Sequence, residues 1–311
     1  MKIAILGATS QIAQNLIKSM GEDGRHQLWL YARRPVELQK QWSNSSVEFI
    51  IHVGDYTSFE KNSGLDAIIN FVGVGDPAAA AQMGADIFDV TLRFDQFALA
   101  HIRAHPNCRY ISLSSGAAYG SSFHKPVNQD SCAVVPLNVF TSQDWYGAAK
   151  LNVECQHRAY RDLPIIDIRI FNYFSSSQNL DAKFLICDIL RSIRDKTLLK
   201  TSPENIVRDY LHPTDFSRLV DALLDSSPVN DVVDAYSLAP IDKYALLVRM
   251  KEQFGLKYEF DDGAIGLNAT GAKVNYYSLN TRASQYGYQP KLTSMEGIAM
   301  EAGVALNAFK S

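Results

Sequence analysis

The sequence predicts an α/β fold: a doubly wound parallel sheet with a smaller mixed α/β lobe attached to it. Three observations carry this. Short β-rich runs alternate with helical stretches through the first half of the chain, at residues 3–6, 27–32, 47–53, 67–72, 109–113 and 165–171 for the strands and 11–20, 81–104 and 144–161 for the helices. Most of these runs are apolar throughout rather than alternating, as in parallel strands covered on both faces. After Phe171 the alternation loosens. Strand and helix at this spacing predict βαβ units with right-handed crossovers. Such sheets bind ligands at the carboxyl ends of their strands, where candidate residues should lie.

The later elements are less regular. Ser175-Ser176-Ser177-Gln178-Asn179 reads as a polar loop, followed by a helix over 182–194, a strand over 206–211, a helix over 214–224 and a buried strand over 232–238. No internal repeat, low-complexity tract or long charge run interrupts them. With 311 residues, 47% of them apolar and 20% charged, the chain can bury about three quarters of its unfolded surface without metals or disulfides. Its net charge of −3 leaves no basic excess to neutralise a nucleic-acid backbone. Cys108, Cys132, Cys155 and Cys187 are widely spaced and read as buried thiols of a reducing compartment, not as a zinc or disulfide framework. The apolar run after Lys2 stops at Gly7, too short for a signal peptide, and no stretch reaches the length of a membrane helix. The expectation is a cytoplasmic protein with no metal site.

The first strand runs into Gly7-Ala8-Thr9-Ser10-Gln11-Ile12-Ala13 and then a helix. Small residues at such a turn let backbone N–H groups at the helix N-terminus approach a pyrophosphate. One glycine remains of the usual three, with Ser10 and Ala13 in the other places. The second strand normally ends in a carboxylate that holds the ribose hydroxyls of NAD. Here it ends Tyr31-Ala32-Arg33-Arg34, and no acidic residue occurs between Asp23 and Glu37. A guanidinium pairs with a 2′-phosphate that a carboxylate would repel, so NADP(H) is favoured over NAD(H). Asp55, in Gly54-Asp55-Tyr56 after the third strand, is placed either on the adenine amine or in a plain turn.

Tyr146-Gly147-Ala148-Ala149-Lys150 puts a phenol and an ammonium four residues apart on one helix face. It follows Ser112-Leu113-Ser114-Ser115-Gly116-Ala117-Ala118-Tyr119-Gly120, which begins within the fifth strand and runs past its end. Taken with Glu154, Arg169-Ile170-Phe171-Asn172-Tyr173, Val207-Arg208-Asp209-Tyr210-Leu211-His212 and Tyr288-Gln289-Pro290-Lys291, these motifs run in order along almost the whole chain. The chain resembles the extended short-chain dehydrogenases/reductases of the NAD-dependent epimerase/dehydratase family, which act on nucleotide sugars. The resemblance implies a Rossmann domain of residues 1–173 plus 206–238 and a substrate-binding lobe of residues 174–205 plus 239–311.

It also implies roles. Gly7, Thr9, Ser10, Gln11, Ile12, Arg33, Arg34, Asp55 and Tyr56 would bind the cofactor, together with Tyr146 and Lys150. Tyr146 would be the general acid/base. A free phenol titrates near 10, so use as a base near neutrality needs about 4 kcal/mol of phenolate stabilisation, which Lys150 and the nicotinamide would supply. Ser115 would donate to the reacting oxygen. Arg208 would grip a substrate diphosphate and Asn172 the nucleotide half. A homodimer through the helices at 81–104 and 144–161 is implied as well. The Tyr276-Tyr277 pair reads either as a base stack or as core.

Within the family, 4,6-dehydratases carry an Asp-Glu pair where this sequence has Gly116-Ala117, and the fucose-synthase branch carries a cysteine that is missing here. Chemistry needing only hydride and one proton remains. The leading expectation is an NADPH-dependent 4-keto-sugar reductase. The alternatives are a C4 epimerase that retains NAD and, in another class, a non-catalytic NADP(H) sensor on the same fold.

Overall fold

The computed structural model describes residues 1–42, 49–74, 80, 82–261, 263 and 273–308. In chain order the elements are β1 (Lys2–Leu6), α1 (Gln11–Asp23), β2 (Gln27–Tyr31), α2 (Pro35–Trp42), β3 (Ile50–Gly54), α3 (Tyr56–Phe59), β4 (Ala67–Asn70), α4 (Asp86–Ala104), β5 (Arg109–Ser115), α5 (Ser142–Ala159), β6 (Ile165–Ile170) and β7 (Asn172–Tyr173). They continue with α6 (Leu185–Arg194), β8 (Leu198–Thr201), β9 (Val207–Arg208), β10 (Tyr210–Leu211), α7 (Pro213–Asp225), β11 (Asp231–Asp234), β12 (Ile241–Asp242), α8 (Lys243–Phe254), β13 (Lys257–Phe260), β14 (Asn275–Tyr276) and α9 (Ser294–Ala308).

Seven strands form one parallel sheet in the order β11-β6-β5-β4-β1-β2-β3. The continuous apolar runs are explained by burial on both faces. Along β1, Ile3 and Ile5 pack with Leu16 and Ile17 of α1 and Phe216, Leu219 and Leu223 of α7. The alternate residues Ala4 and Leu6 pack with Ala98, Leu99 and Ile102 of α4 on the other side. A second core joins α6, α8 and α9 through Cys187, Ile189, Leu190, Leu247, Met250 and Ile298. Ala283 and Tyr288 from the C-terminal region pack into the sheet core, and Tyr288 donates its hydroxyl to the Tyr236 carbonyl at 2.7 Å.

Element ends follow local chemistry. α1 runs past the expected Met20 to Asp23 and is stopped by Gly24 at φ 68°, a conformation glycine adopts without a Cβ penalty. α5 begins two residues before the expected Asp144, because Thr141 and Asp144 form a reciprocal capping box. The run predicted as one strand over 206–211 is two short strands, β9 pairing with β12 and β14, and β10 with β7. The last sheet strand covers Asp231–Asp234 instead of 232–238. Val47, Glu48 and Ala81, at the start of two predicted elements, lie outside the described residues. The cysteine expectation needs correcting: Cys108 and Cys187 are buried, but Cys132 and Cys155 are exposed. Among the described residues no helix is long and apolar enough to cross a membrane.

Candidate active site

The carboxyl ends of β1, β2 and β3 carry the predicted cofactor residues. The Gly7 and Ala8 amides both donate to the Tyr31 carbonyl, at 3.0 and 3.1 Å, which ties the turn after β1 to the end of β2. Gly7 has φ +73°, and a Cβ there would lie 2.9 Å from the Val72 amide nitrogen, so only glycine fits this passage. Ser10 caps α1, accepting from the Ala13 amide at 3.2 Å. The Ser10 amide donates to the Gly7 carbonyl at 2.9 Å, and Gln11 and Ile12, the first residues of α1, turn their amides to a helix N-terminus beside Thr9, an electropositive cradle for a phosphate.

Arg33 and Arg34 follow β2 and are both exposed. Arg34 pairs with Glu37 at 3.1 Å, whereas Arg33 has no ion pair among the described residues. Asp55 caps the short α3, and its Oδ1 accepts from Thr57 Oγ1 at 2.7 Å and from the Ser58 amide at 2.9 Å. Those two hydrogen bonds hold its carboxyl below the ordinary value. Both proposed duties of Asp55 are thus compatible, because the turn uses one oxygen. Tyr56 packs on Phe94 at 4.6 Å between ring centroids. Its phenol is raised by burial and opposed by the Gly7 backbone and Arg33, which places its hydroxyl at the same edge.

Ser115 ends β5, and its hydroxyl accepts from the Ala117 amide at 3.2 Å. The same hydroxyl meets Tyr276 OH at 3.2 Å and lies near enough to the Tyr146 phenol to oppose the effect of burial on it. One turn along α5, Lys150 is 8% exposed and donates to the Leu113 carbonyl at 2.7 Å. A Cβ on Gly73 would fall 3.2 Å from its Nζ, so the ammonium sits where the chain leaves β4. α5 rests close on the turn after Ser115: a Cβ on Gly147 would lie 2.4 Å from the Ala117 carbonyl oxygen. Burial raises the Tyr146 phenol, with Ser115 opposing it. Burial lowers the Lys150 ammonium, opposed by Asp95, Asp167 and Glu154. Burial thus disfavours the phenolate of Tyr146, which suits it to give a proton, with Lys150 and the Ser115 hydroxyl nearby.

Arg208 is buried in β9 and donates to the Val207 and Val274 carbonyls at 2.9 and 3.3 Å. Its guanidinium carbon stands 5.9 Å from the Tyr276 ring. The neighbouring carboxylates are engaged elsewhere, Asp209 by the Ser237 amide and Ser294 hydroxyl and Asp215 by Arg218 and the Lys291 and Leu292 amides. Asn172 donates from its amide to the Asp209 and Tyr276 carbonyls at 3.2 and 3.4 Å, so it braces this corner.

Three further residues stand at the site: Tyr276, which the sequence reads as base stack or core, Phe171, a member of the Arg169–Tyr173 motif with no role of its own, and Lys273, which no motif marks. Tyr276, 3% exposed, is core and site at once: its ring joins Phe123 and Phe171, and its hydroxyl reaches Ser115. Phe171 covers Gly116, where a Cβ would fall 2.4 Å from its ring. Lys273 sets its ammonium 4.5 Å from the centre of the Tyr276 ring and 5.1 Å from that of Phe123.

The profile of the NAD dependent epimerase/dehydratase family matches residues 3–239 of the chain. No curated protein matches the sequence. Among solved structures, dTDP-glucose 4,6-dehydratase from Bacillus anthracis in complex with NAD is 16% identical, with TM-score 0.76 over 97% of this chain and 96% of that one. UDP-glucuronic acid 4-epimerase from Bacillus cereus in complex with UDP-glucuronic acid and NAD is 15% identical, with TM-score 0.78 over 99% of each chain. UDP-glucose 4-epimerase from Thermotoga maritima with UDP-glucose is 15% identical, with TM-score 0.77 over 100% of each. At these identities the likeness establishes the fold.

Proposed function

The chain belongs to the NAD-dependent epimerase/dehydratase family, and from that premise we propose that it is an NADPH-dependent reductase of a nucleotide-linked 4-keto sugar. The observation that carries this reading is the surface beside Ser115. Gly116 and Ala117 offer no ionisable group there, and Phe171 closes the space a side chain at Gly116 would need. Elimination of water requires an acid and a base at the sugar; reduction of a ketone requires a hydride and one proton.

The residues present suit a dinucleotide: the Gly7 passage admits no Cβ, the first turn of α1 offers amides, and Lys150 lies against Gly73. A bound NADPH supplies the hydride. The chain supplies the rest. Ser115 donates a hydrogen bond to the ketone oxygen and polarises it. Tyr146, kept neutral by burial, gives that oxygen its proton. Lys150 stabilises the resulting phenolate and holds the nicotinamide ribose. Arg208 takes the substrate diphosphate and Asn172 fixes the corner on which the nucleotide half rests. Arg33, exposed at the end of β2, takes the 2′-phosphate, and Asp55 the adenine amine. In this reading residues 1–173 plus 206–238 bind the cofactor and 174–205 plus 239–311 the substrate. We place the protein in the cytoplasm as a homodimer through α4 and α5.

A second reading, C4 epimerisation with retained NAD, is favoured by the UDP-sugar 4-epimerases whose fold the chain shares, because the same three side chains serve hydride removal and return. Purified protein with its copurifying nucleotide identified, then assayed for NADPH oxidation with 4-keto sugar nucleotides, decides between them. The reductase consumes NADPH stoichiometrically and arrives without tightly bound NAD. Firmly retained NAD with no NADPH consumption overturns it in favour of the epimerase.

A further inference from the structure

Within the proposed function, on which this rests, we infer that Tyr276 is a positioning residue: its hydroxyl fixes the direction in which Ser115 gives its proton. Ser115 Oγ has one proton to donate and two lone pairs to fill. One lone pair accepts from the Ala117 amide at 3.2 Å. The Tyr276 hydroxyl stands 3.2 Å from the same oxygen. A serine that spent its proton on that phenol would have none for a ketone, so the direction of this one hydrogen bond decides what Ser115 can do.

The surroundings of Tyr276 set that direction. Its side chain is buried, and among the described residues Ser115 Oγ is the acceptor within hydrogen-bond distance of its hydroxyl. Burial raises the Tyr276 phenol, opposed by Ser115 and by the Ala117 amide as a donor at the phenol oxygen, so Tyr276 keeps its proton and gives it to Ser115. Both lone pairs of Ser115 are then filled. Its own proton is left for the side of Tyr146, where the proposed reaction places the ketone oxygen. Tyr276 can aim a neighbour because it is itself held. It lies opposite Arg208 in the pairing of β14 with β9, Asn172 donates to its carbonyl at 3.4 Å, and its ring stands edge-on to Phe123 at 4.8 Å between centroids. A serine hydroxyl that would otherwise rotate is thus oriented before substrate arrives, the pre-organisation that stabilising a developing charge requires.

The test follows NADPH oxidation in single turnovers with saturating dTDP- and UDP-linked 4-keto-6-deoxyglucose as probes, with the affinities for NADPH and for each probe measured alongside. Tyr276→Phe keeps the ring and removes the hydroxyl. It is expected to slow hydride transfer about tenfold, the worth of one hydrogen bond, with all affinities within about twofold of wild type. A double-variant cycle decides the cause. In a Ser115→Ala background there is no hydroxyl to aim, and Tyr276→Phe should slow the reaction less than about twofold further. Losses of about tenfold in both backgrounds overturn the inference, because Tyr276 would then act on the substrate without Ser115. An unchanged rate in Tyr276→Phe alone also overturns it, as does a loss that comes with weakened NADPH binding, which makes the hydroxyl part of the fold. Each of these leaves the reductase reading standing. Wild-type protein that binds NADPH but oxidises it with neither probe overturns that reading, and this inference with it.

Discussion

The two ends of α5 handle buried charge in opposite ways. Toward its C-terminus, His157 is fully buried and gives each ring nitrogen to a carboxylate, Nε2 to Asp95 and Nδ1 to Asp167, both at 2.8 Å. Arg158 reaches Asp167 at 2.8 Å, and Tyr110 donates to Asp95 at 2.7 Å while accepting from Asn70 at 3.0 Å. Glu154 is held in the same way by Ser114 and Arg169. Toward the N-terminus, Tyr146 is half-buried and Lys150 is buried, neither hydrogen-bonded to a carboxylate among the described residues, and Lys273 faces two rings. Paired charges here clamp α4 and α5 to the sheet; in the proposed function the under-paired ones are where a ligand completes the set. That contrast separates scaffold from site inside one helix.

The strongest way to break the contrast is to remove the imidazole. His157→Leu leaves Asp95 and Asp167 buried without their shared cation and should cost about 3–5 kcal/mol in urea unfolding; a loss below about 1 kcal/mol would make the clamp dispensable. The clamp also has a pH signature. Burial opposes the imidazolium, but Asp167 and Asp95 outweigh it and raise His157 to about 9, above an unfolded value near 6.5. Its contribution is therefore complete below about pH 6.5 and is lost as pH rises to and through about 9. Asp95, Asp167, Arg158, Tyr110 and Lys150 are the charged or titratable groups around it. The wild-type urea midpoint should fall across that window, and the fall should flatten in His157→Leu.

A smaller effect is expected at the site. Gly116→Ala must displace the Phe171 ring, 2.4 Å from the new Cβ, and overpacking of this kind costs about 1–3 kcal/mol. Adding Phe171→Leu should return most of the loss in thermal unfolding. If Gly116→Ala alone is neutral, Phe171 is not what keeps side chains out of this position.

How much of this was legible in the sequence depended on chain distance. The doubly wound sheet, the Gly7 turn and the Tyr146–Lys150 spacing are written in short segments, so apolar periodicity and local motifs reveal them. Tyr276 joins Ser115 from 161 residues away, and Lys273, in the stretch just before β14, lies against the Tyr276 ring; no motif marks Lys273, and the Tyr276-Tyr277 pair carries no spacing that says what it meets. The two readings of Tyr276 as core or ligand surface could not be separated because both faces of the question are decided by packing. α8 carries its own signals, Asp242 accepting from the Ala245 amide at one end and Gly255 at φ 73° at the other, yet its apolar pattern is weak. The exposure of Cys132 and Cys155 likewise depends on which way α5 and the preceding loop face, and residue type alone says nothing of that.

The contrast between paired and under-paired charge extends to the surface, where it should be mildest and is the most specific about cofactor choice. Arg34 and Arg33 adjoin each other at the end of β2, but Arg34 is already tied to Glu37 at 3.1 Å, and exposed pairs of this kind contribute little. Arg33 has no such partner among the described residues and shares an edge with Tyr56 and Gly7. A charge-assisted bond to a 2′-phosphate is stronger than a neutral one, so Arg33→Ala should weaken NADPH about tenfold and leave NADH unchanged. Arg34→Ala should change either cofactor by less than about threefold. Fluorescence titration of the two reduced cofactors measures both. Equal losses for NADPH and NADH in Arg33→Ala would remove the 2′-phosphate from Arg33. A larger loss from Arg34→Ala would mean that Glu37 releases its partner to the cofactor, and the rule that paired charges are scaffold would then end at the protein surface.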